Sequence, residues 1–357
     1  MTTKKPRILV LFCGGTISMS RDPNTGSLVP ANSVDQVLSL EPRLKEWTDL
    51  EVVSITNLDS TDLGTTEWED LVRAIETNYD AYDGFVVTVG TNTMAYAASA
   101  LSFALQGIGK PVVCTGAQIP AETLYTDGRN NFVNAIRIAK HNLAGVFVVF
   151  GSKVILGCRA KKVSESDLDA FETFNDVDCG NLTIGLKFNK SLPTRHHRRF
   201  KAQNGFSPCV VCLTCLPSLD PRVIPLLIDA GTRGLILRSF GAGDLPAAYL
   251  PPLQYARDKG VPVIVTTQCR GTTIMGLNDP GRRALELGVI QTFDMSMEAM
   301  STKMMWMLAQ KIPYADFKKV FHENLAGEVD TRRINDFLNE KLAQLEDYRP
   351  SEDFTQF

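Results

Sequence analysis

The chain has 357 residues, 44% of them apolar and 22% charged, with a net charge of −3. That length fits two domains of roughly 150 residues each, and the composition is ordinary for a soluble globular protein. Without a basic field nucleic acid is not an expected partner, and no run approaches the roughly 18 apolar residues of a membrane span.

The opening MTTKKPRILVLF has too short an apolar stretch for a secretory signal. The chain is therefore read as cytoplasmic, with its eight cysteines as free thiols. RILVLF (7–12) reads as a strand ending at Gly14-Gly15, and EVVSIT (51–56) as a second strand ending in Asp59-Ser60-Thr61. Trp68, Leu71, Val72 and Ile75 space a helix over 66–79. GFVVTV (84–89) is the third strand, followed by a helix from Thr93 to Leu105. PVVCTG (111–116) is the fourth, and Thr126-Asp127-Gly128 reads as a turn and cap before the helix NFVNAIRIAKHN. GVFVVFG (145–151) is the fifth. Buried strands alternating with helices predict an α/β fold with a doubly wound, mostly parallel sheet.

The pattern lapses over 185–207, which is rich in Pro, Arg and Asn. This predicts an N-terminal domain over 1–190, a linker over 191–208 and a smaller C-terminal α/β domain over 209–357. The basic run Arg195–Arg199 in the linker is expected to be solvated. The second domain opens with the strand CVVCLTC. A helix over 220–231 and strands at 234–240 and 261–269 follow, then amphipathic helices. Six of the ten methionines fall in 295–307, which suits packing better than ligation. Cys209, Cys212 and Cys215 have ligand-like spacing but lie in an apolar run with no evident fourth ligand, so no metal site is expected.

Ligands of open parallel sheets bind beyond the carboxyl ends of the strands. There the chain carries Gly15-Thr16, Asp59-Ser60-Thr61, Gly90-Thr91-Asn92-Thr93 and Thr115-Gly116-Ala117. Any one of these loops is ordinary punctuation, since Ser and Thr cap helices and Gly makes turns. Several together at one sheet edge suit a small anion or zwitterion, with helix N-termini to hold a carboxylate. The phosphate loop GxxxxGK[ST], a GxGxxG after a strand and the hydrolase elbow GxSxG are all absent. A threonine nucleophile needs a base; no histidine lies near these loops, and Lys161-Lys162 in GCRAKK supplies a candidate.

These motifs, in order, are Cys13-Gly-Gly-Thr-Ile17, LDSTDL (58–63), GTNTMAYAASALSF (90–103), KPVVCTGAQIP (110–120), TDGRNN (126–131) and GCRAKK (157–162), with SFGAGDLP (239–246) and TTQC (266–269) beyond. Across nearly its whole length the chain resembles the bacterial-type L-asparaginases, and most of all their cytoplasmic-type branch. The resemblance implies a two-step acyl transfer from an amino-acid amide. Thr16 matches the attacking threonine. Thr91 matches the one that activates water, and Lys162 its assisting lysine. Backbone N–H groups near Thr91 and Ala117 match the oxyanion site. Gly15, Gly90 and Asp59-Ser60-Thr61 match the substrate cradle. It also implies a homodimer or homotetramer with no metal or cofactor.

Three departures stand out. The family's third strand usually ends in His-Gly-Thr-Asp-Thr, whereas here it is Val89-Gly-Thr-Asn92-Thr. The family aspartate holds the substrate's α-ammonium, and losing such a charged partner costs about 1.5–3 kcal/mol, or roughly ten- to hundred-fold in binding. Conversely, the family's Gly-x-Gly-Asn reads Gly241-Ala-Gly-Asp244, so Asp244 is expected to supply the missing anion. The lid tyrosine is missing, its match falling near Ser27-Leu28. The leading expectation is an asparaginase-type amidohydrolase, weak or altered in specificity. The rivals are a silent amino-acid-binding homologue and an amidase for an amide without a free α-ammonium.

Overall fold

Seven buried residues in a row, Ile8–Gly14, place β1 (Arg7–Gly14) inside a sheet rather than at its rim. The computed structural model describes residues 5–21, 25, 28–30, 38, 40–276 and 278–330. Short strands β2 (Met19–Arg21) and β3 (Leu28–Pro30) pair antiparallel after β1. The main sheet continues with β4 (Asp49–Leu58), β5 (Gly84–Thr88), β6 (Pro111–Thr115), β7 (Gly145–Phe150) and β8 (Lys153–Leu156). β9 (Ala160–Lys162) and β10 (Phe171–Thr173) form a separate hairpin, and β11 (Gly180–Leu182) and β12 (Leu186–Phe188) close the series. The order is β12-β11-β8-β7-β6-β5-β1-β4. β4, β1, β5, β6 and β7 are mutually parallel, while β8, β11 and β12 add an antiparallel flank.

Every residue of β5 and β6 is buried, as a parallel sheet covered on both faces requires. Ile8, Val10 and Phe12 of β1, with Val86 and Val113, pack with Phe132, Ala135, Ile136 and Ala139 of the helix Gly128–Ala139. The helix Met94–Ala104 contains no charged residue and is buried nearly all round. Against it sits the turn Gly157–Arg159, where a Cβ on Gly157 would stand 2.7 Å from Ser102 Oγ and 3.0 Å from the Ala98 carbonyl. That close approach steers the chain from β8 into β9 over the buried helix.

The chain divides between Phe206 and Ser207 into two units. The last stretch of the first unit has no regular structure but is not free in solvent. The Arg195 guanidinium donates to the carbonyls of Ala139 (2.7 Å), His141 (2.8 Å) and Asp83. His196, Ala202 and Gln203 donate backbone N–H groups to Gly109 O, Glu76 Oε1 and Ala104 O. Burial holds the Arg195 pKa below its ordinary value. The basic run thus begins with an arginine bound to backbone carbonyls, while His197, Arg198 and Arg199 are exposed as a solvated run would be.

The second unit has a four-stranded parallel sheet of β13 (Val210–Thr214), β14 (Gly234–Ser239), β15 (Val263–Thr267) and β16 (Ile290–Gln291), in that order. Its Met-rich segment is the helix Met297–Ala309, with Met300, Met304 and Met307 buried. Cys215 is buried, whereas Cys209 and Cys212 are exposed. Among the described residues no helix is long and apolar enough to cross a membrane.

Candidate functional site

The loops beyond β1, β4 and β5 meet through glycines. Gly15 has φ +86°, and a Cβ there would stand 2.5 Å from Gly90 N and 2.6 Å from Gly90 Cα. A Cβ on Gly90 would stand 2.6 Å from both Cβ and Oγ of Ser60. Only hydrogen fits at either position, so the Thr16 and Thr91 loops touch backbone to backbone with Ser60 alongside. Thr16 begins a 3-10 turn, Thr16–Ser18, and is half-buried. The next residue, Ile17, is buried and packs near Gly128, whose own Cβ would lie 3.2 Å from Ile17 Cγ1 and 3.1 Å from the Ala117 side chain. The loop after β6 therefore adjoins the same turn.

Thr93 sits at the N-cap of the helix Met94–Ala104 but does not cap it. Its Oγ1 instead donates to the Ser60 carbonyl at 2.7 Å, tying the β4 and β5 loops together. Asp59 accepts from Thr61 N at 2.8 Å and Thr61 Oγ1 at 2.7 Å. These bonds, the backbone one first, hold the Asp59 carboxyl below the usual range, so it is ionised at neutral pH.

Thr91 is 6% exposed and lies between two side chains. Lys162 Nζ, at the end of β9, donates to Thr91 Oγ1 at 2.8 Å and to Asn92 Oδ1 at 2.9 Å. Thr91 Oγ1 in turn donates to Gln118 Oε1 at 2.9 Å. Burial lowers the Lys162 pKa, with Glu165 opposing the shift. The helix N-terminus beyond Thr93 adds partial positive charge, which also favours a neutral amine. Lys161 points elsewhere, its Nζ 5.4 Å from the Phe174 ring centroid. Of the lysine pair, Lys162 is the one bonded to the threonine.

Asp127 stands at the N-cap of Gly128–Ala139 yet makes no cap bond with its side chain. Its carboxylate accepts from Gln118 N, Ile119 N and Asn131 Nδ2, and so shapes the β6 loop. The cap is supplied by Thr126, whose Oγ1 accepts from Gly128 N at 3.0 Å. Sequence reasoning missed Gln118 and the work of Asp127. Gln118 lies inside the motif KPVVCTGAQIP, but no local pattern shows that its amide reaches Thr91.

Asp244 and the lid match remain. Asp244 belongs to the second unit, where its carboxylate accepts from Asn278 Nδ2. Of the lid match, Ser27 lies outside the described residues, and Leu28 begins β3.

Residues 7–194 match the family described as "Asparaginase, N-terminal", and residues 209–321 match "Glutaminase/Asparaginase C-terminal domain". The chain belongs to the asparaginase family, a family of amide hydrolases. It is 34% identical over 334 residues to L-asparaginase 1 of Escherichia coli K12, covering 91% of this chain and 98% of that one. The solved thermostable L-asparaginase from Thermococcus kodakarensis superposes with a TM-score of 0.85 at 33% identity, covering 91% of this chain and 99% of that one. A component of the glutamyl-tRNA(Gln) amidotransferase of Methanosarcina mazei is 31% identical, over 91% of this chain and 79% of that one. The doubly wound, mostly parallel N-terminal sheet and smaller C-terminal α/β unit are those of the asparaginase fold.

Proposed function

We propose that this asparaginase-family chain hydrolyses the side-chain amide of L-asparagine to L-aspartate and ammonia. One observation carries the reading: a half-buried lysine amine, its pKa lowered by burial, touches the hydroxyl of a buried threonine at a glycine-built sheet edge. Thr16 attacks the amide carbon, ammonia leaves, and an acyl-enzyme forms. Thr91 and Lys162 then take a proton from water, which attacks the ester and frees Thr16. Backbone N–H groups near Thr91 and Ala117 hold the oxyanion. In the loop Asp59-Ser60-Thr61 the Ser60 hydroxyl and the loop N–H groups hold the substrate's α-carboxylate, while the Thr61 hydroxyl and N–H, already donating to Asp59 Oδ1, keep the loop in shape. The protein acts as a homodimer or homotetramer in the cytoplasm.

A second reading is favoured by Asn92. The group facing Lys162 is an amide oxygen rather than a carboxylate, so the site has one fewer anion for an α-ammonium. An amide substrate without that ammonium, such as an N-acylated one, does not need it. Ammonia release from L-asparagine, L-glutamine and N-acylated amides separates the two. Under either reading Thr16→Ala and Thr91→Ala abolish turnover. If no amide turns over while aspartate binds saturably, the chain is a silent homologue and the hydrolase proposal falls.

A further inference from the structure

A hydroxyl has one proton to give, and Thr91 has two neighbours that accept it in different states. Gln118 Oε1 is 2.9 Å from Thr91 Oγ1, and Lys162 Nζ is 2.8 Å from the same atom. A charged Lys162 donates only, so the Thr91 proton must point to Gln118. A neutral Lys162 has a lone pair and can take that proton instead.

Gln118 is held so that its oxygen, not its nitrogen, faces Thr91. Its Nε2 donates to the carbonyls of Glu165 and Asp167, each at 3.2 Å. A flipped amide would aim Oε1 at two carbonyl oxygens. The backbone is fixed as well, since Gln118 N donates to both oxygens of Asp127 at 3.1 and 3.0 Å. The two carbonyls belong to the loop that follows Lys162, so the glutamine bridges the threonine loop and the lysine segment.

We propose that Gln118 is a positioning residue for the hydrolysis: by accepting the Thr91 hydroxyl proton it keeps that proton from Lys162, and so sets where on the pH scale the pair becomes competent. The proposal rests on the reading above that Thr91 and Lys162 form the proton-transfer pair. When the amine is neutral the Thr91 Oγ1–H bond breaks, an Nζ–H bond forms, and the oxygen is left free to take a proton from water.

The sign follows from the two states. With Lys162 charged, Gln118 satisfies the Thr91 proton; without Gln118 that proton loses the acceptor it has among the described residues. With Lys162 neutral, the amine itself is the acceptor, and losing Gln118 matters less. Removing the glutamine oxygen therefore favours the neutral amine. The charged groups around the amine are Glu165 on its own loop, Asp127 behind Gln118, and Lys161 paired in register with Glu172 on β9 and β10. The helix Met94–Ala104, packed on β9, contributes no charge.

The test uses the full-length protein with lysine labelled by 13C at Cε. The Lys162 resonance is assigned by its loss in Lys162→Met. In Gln118→Met its titration midpoint falls by about half to one pH unit, the worth of one hydrogen bond. In Gln118→Glu the midpoint rises instead, because the variant keeps an acceptor and adds an anion. The acid limb of kcat moves with each midpoint. The proposal is overturned if both variants keep the wild-type midpoint while kcat falls uniformly, or if both midpoints move the same way. Should Gln118→Met fail to fold, Gln118→Leu, which also lacks the acceptor, must show the same fall. If the wild type releases no ammonia from any amide, the proposed function fails, and the NMR midpoints still decide the role of Gln118.

Discussion

Lys162 is the residue on which the candidate chemistry turns, and its partner Asn92 brings it no charge. The Asn92 oxygen solvates the ammonium at 2.9 Å without neutralising it, while burial favours the uncharged form. Asn92→Asp puts an anion in that place. An opposite charge so close favours the ammonium and raises a lysine pKa by about one to three units. The acid limb of the kcat–pH profile is then expected to move up by at least one unit, with less turnover at neutral pH per bound substrate. A profile that stays where the wild type has it means Lys162 is not the titrating base. Thr16 and Thr91 stood out as candidates because each follows an apolar strand in the sequence, and Lys162 because it lies in the motif GCRAKK. Gln118 was not, since its link to Thr91 spans 27 residues and depends on how two loops fold toward each other. Asp127 reads as a helix cap from sequence because a cap and a loop clamp use the same residue type at the same turn.

The elements that build the site are the strand-end loops, and glycines bring them into contact. Gly15→Ala tests this directly. The φ of +86° alone costs about 1–2 kcal/mol for a residue with a Cβ. The added carbon would also meet the Gly90 backbone at 2.5 Å, which has no flexible end to move aside. The loops must separate, and a shift near 1 Å at a reacting group costs about hundred-fold in rate. Thus kcat is expected to fall by about hundred-fold or more while the melting temperature drops only a few degrees. A variant with near-normal kcat places the reacting groups elsewhere. Parallel strands β1 and β4–β7 were readable as apolar runs bounded by turn residues. The hairpin from β7 into β8 was not, because Gly151-Ser152 joins two apolar segments with little change in composition. Missing it left Lys162 as a residue trailing a fifth strand. It instead ends a hairpin strand laid over the helix Met94–Ala104.

At the scale of the whole molecule, charges that composition assigns to the surface turn out to hold the chain together. Arg195 binds the first unit's own carbonyls, and Lys303 does the equivalent in the second. Lys303 sits in the Met-rich helix and is fully buried, as is Glu328, its ion-pair partner. Its Nζ also donates to the carbonyls of Phe321 at 2.8 Å and Glu323 at 2.6 Å. Glu328 accepts from Leu325 N and Ala326 N, so the pair pins the segment after the helix Tyr314–His322 onto the helix Met297–Ala309. Periodicity alone reads position 303 as a polar break in an apolar helix, since its partner lies 25 residues on in irregular chain. Lys303→Met keeps the length and apolar stem but leaves Glu328 buried without its cation. Breaking such a pair costs about 3–5 kcal/mol, whereas replacing both partners is close to neutral. Urea unfolding should therefore show Lys303→Met destabilised by about 3 kcal/mol or more. Lys303→Met combined with Glu328→Gln should recover most of that loss, because the amide still accepts from the Leu325 and Ala326 N–H groups without a charge to bury. If the single variant unfolds within about 1 kcal/mol of the wild type, the pair does not anchor this segment. If the double variant is as weak as the single, the loss comes from the Phe321 and Glu323 carbonyls that Lys303 leaves unpaired.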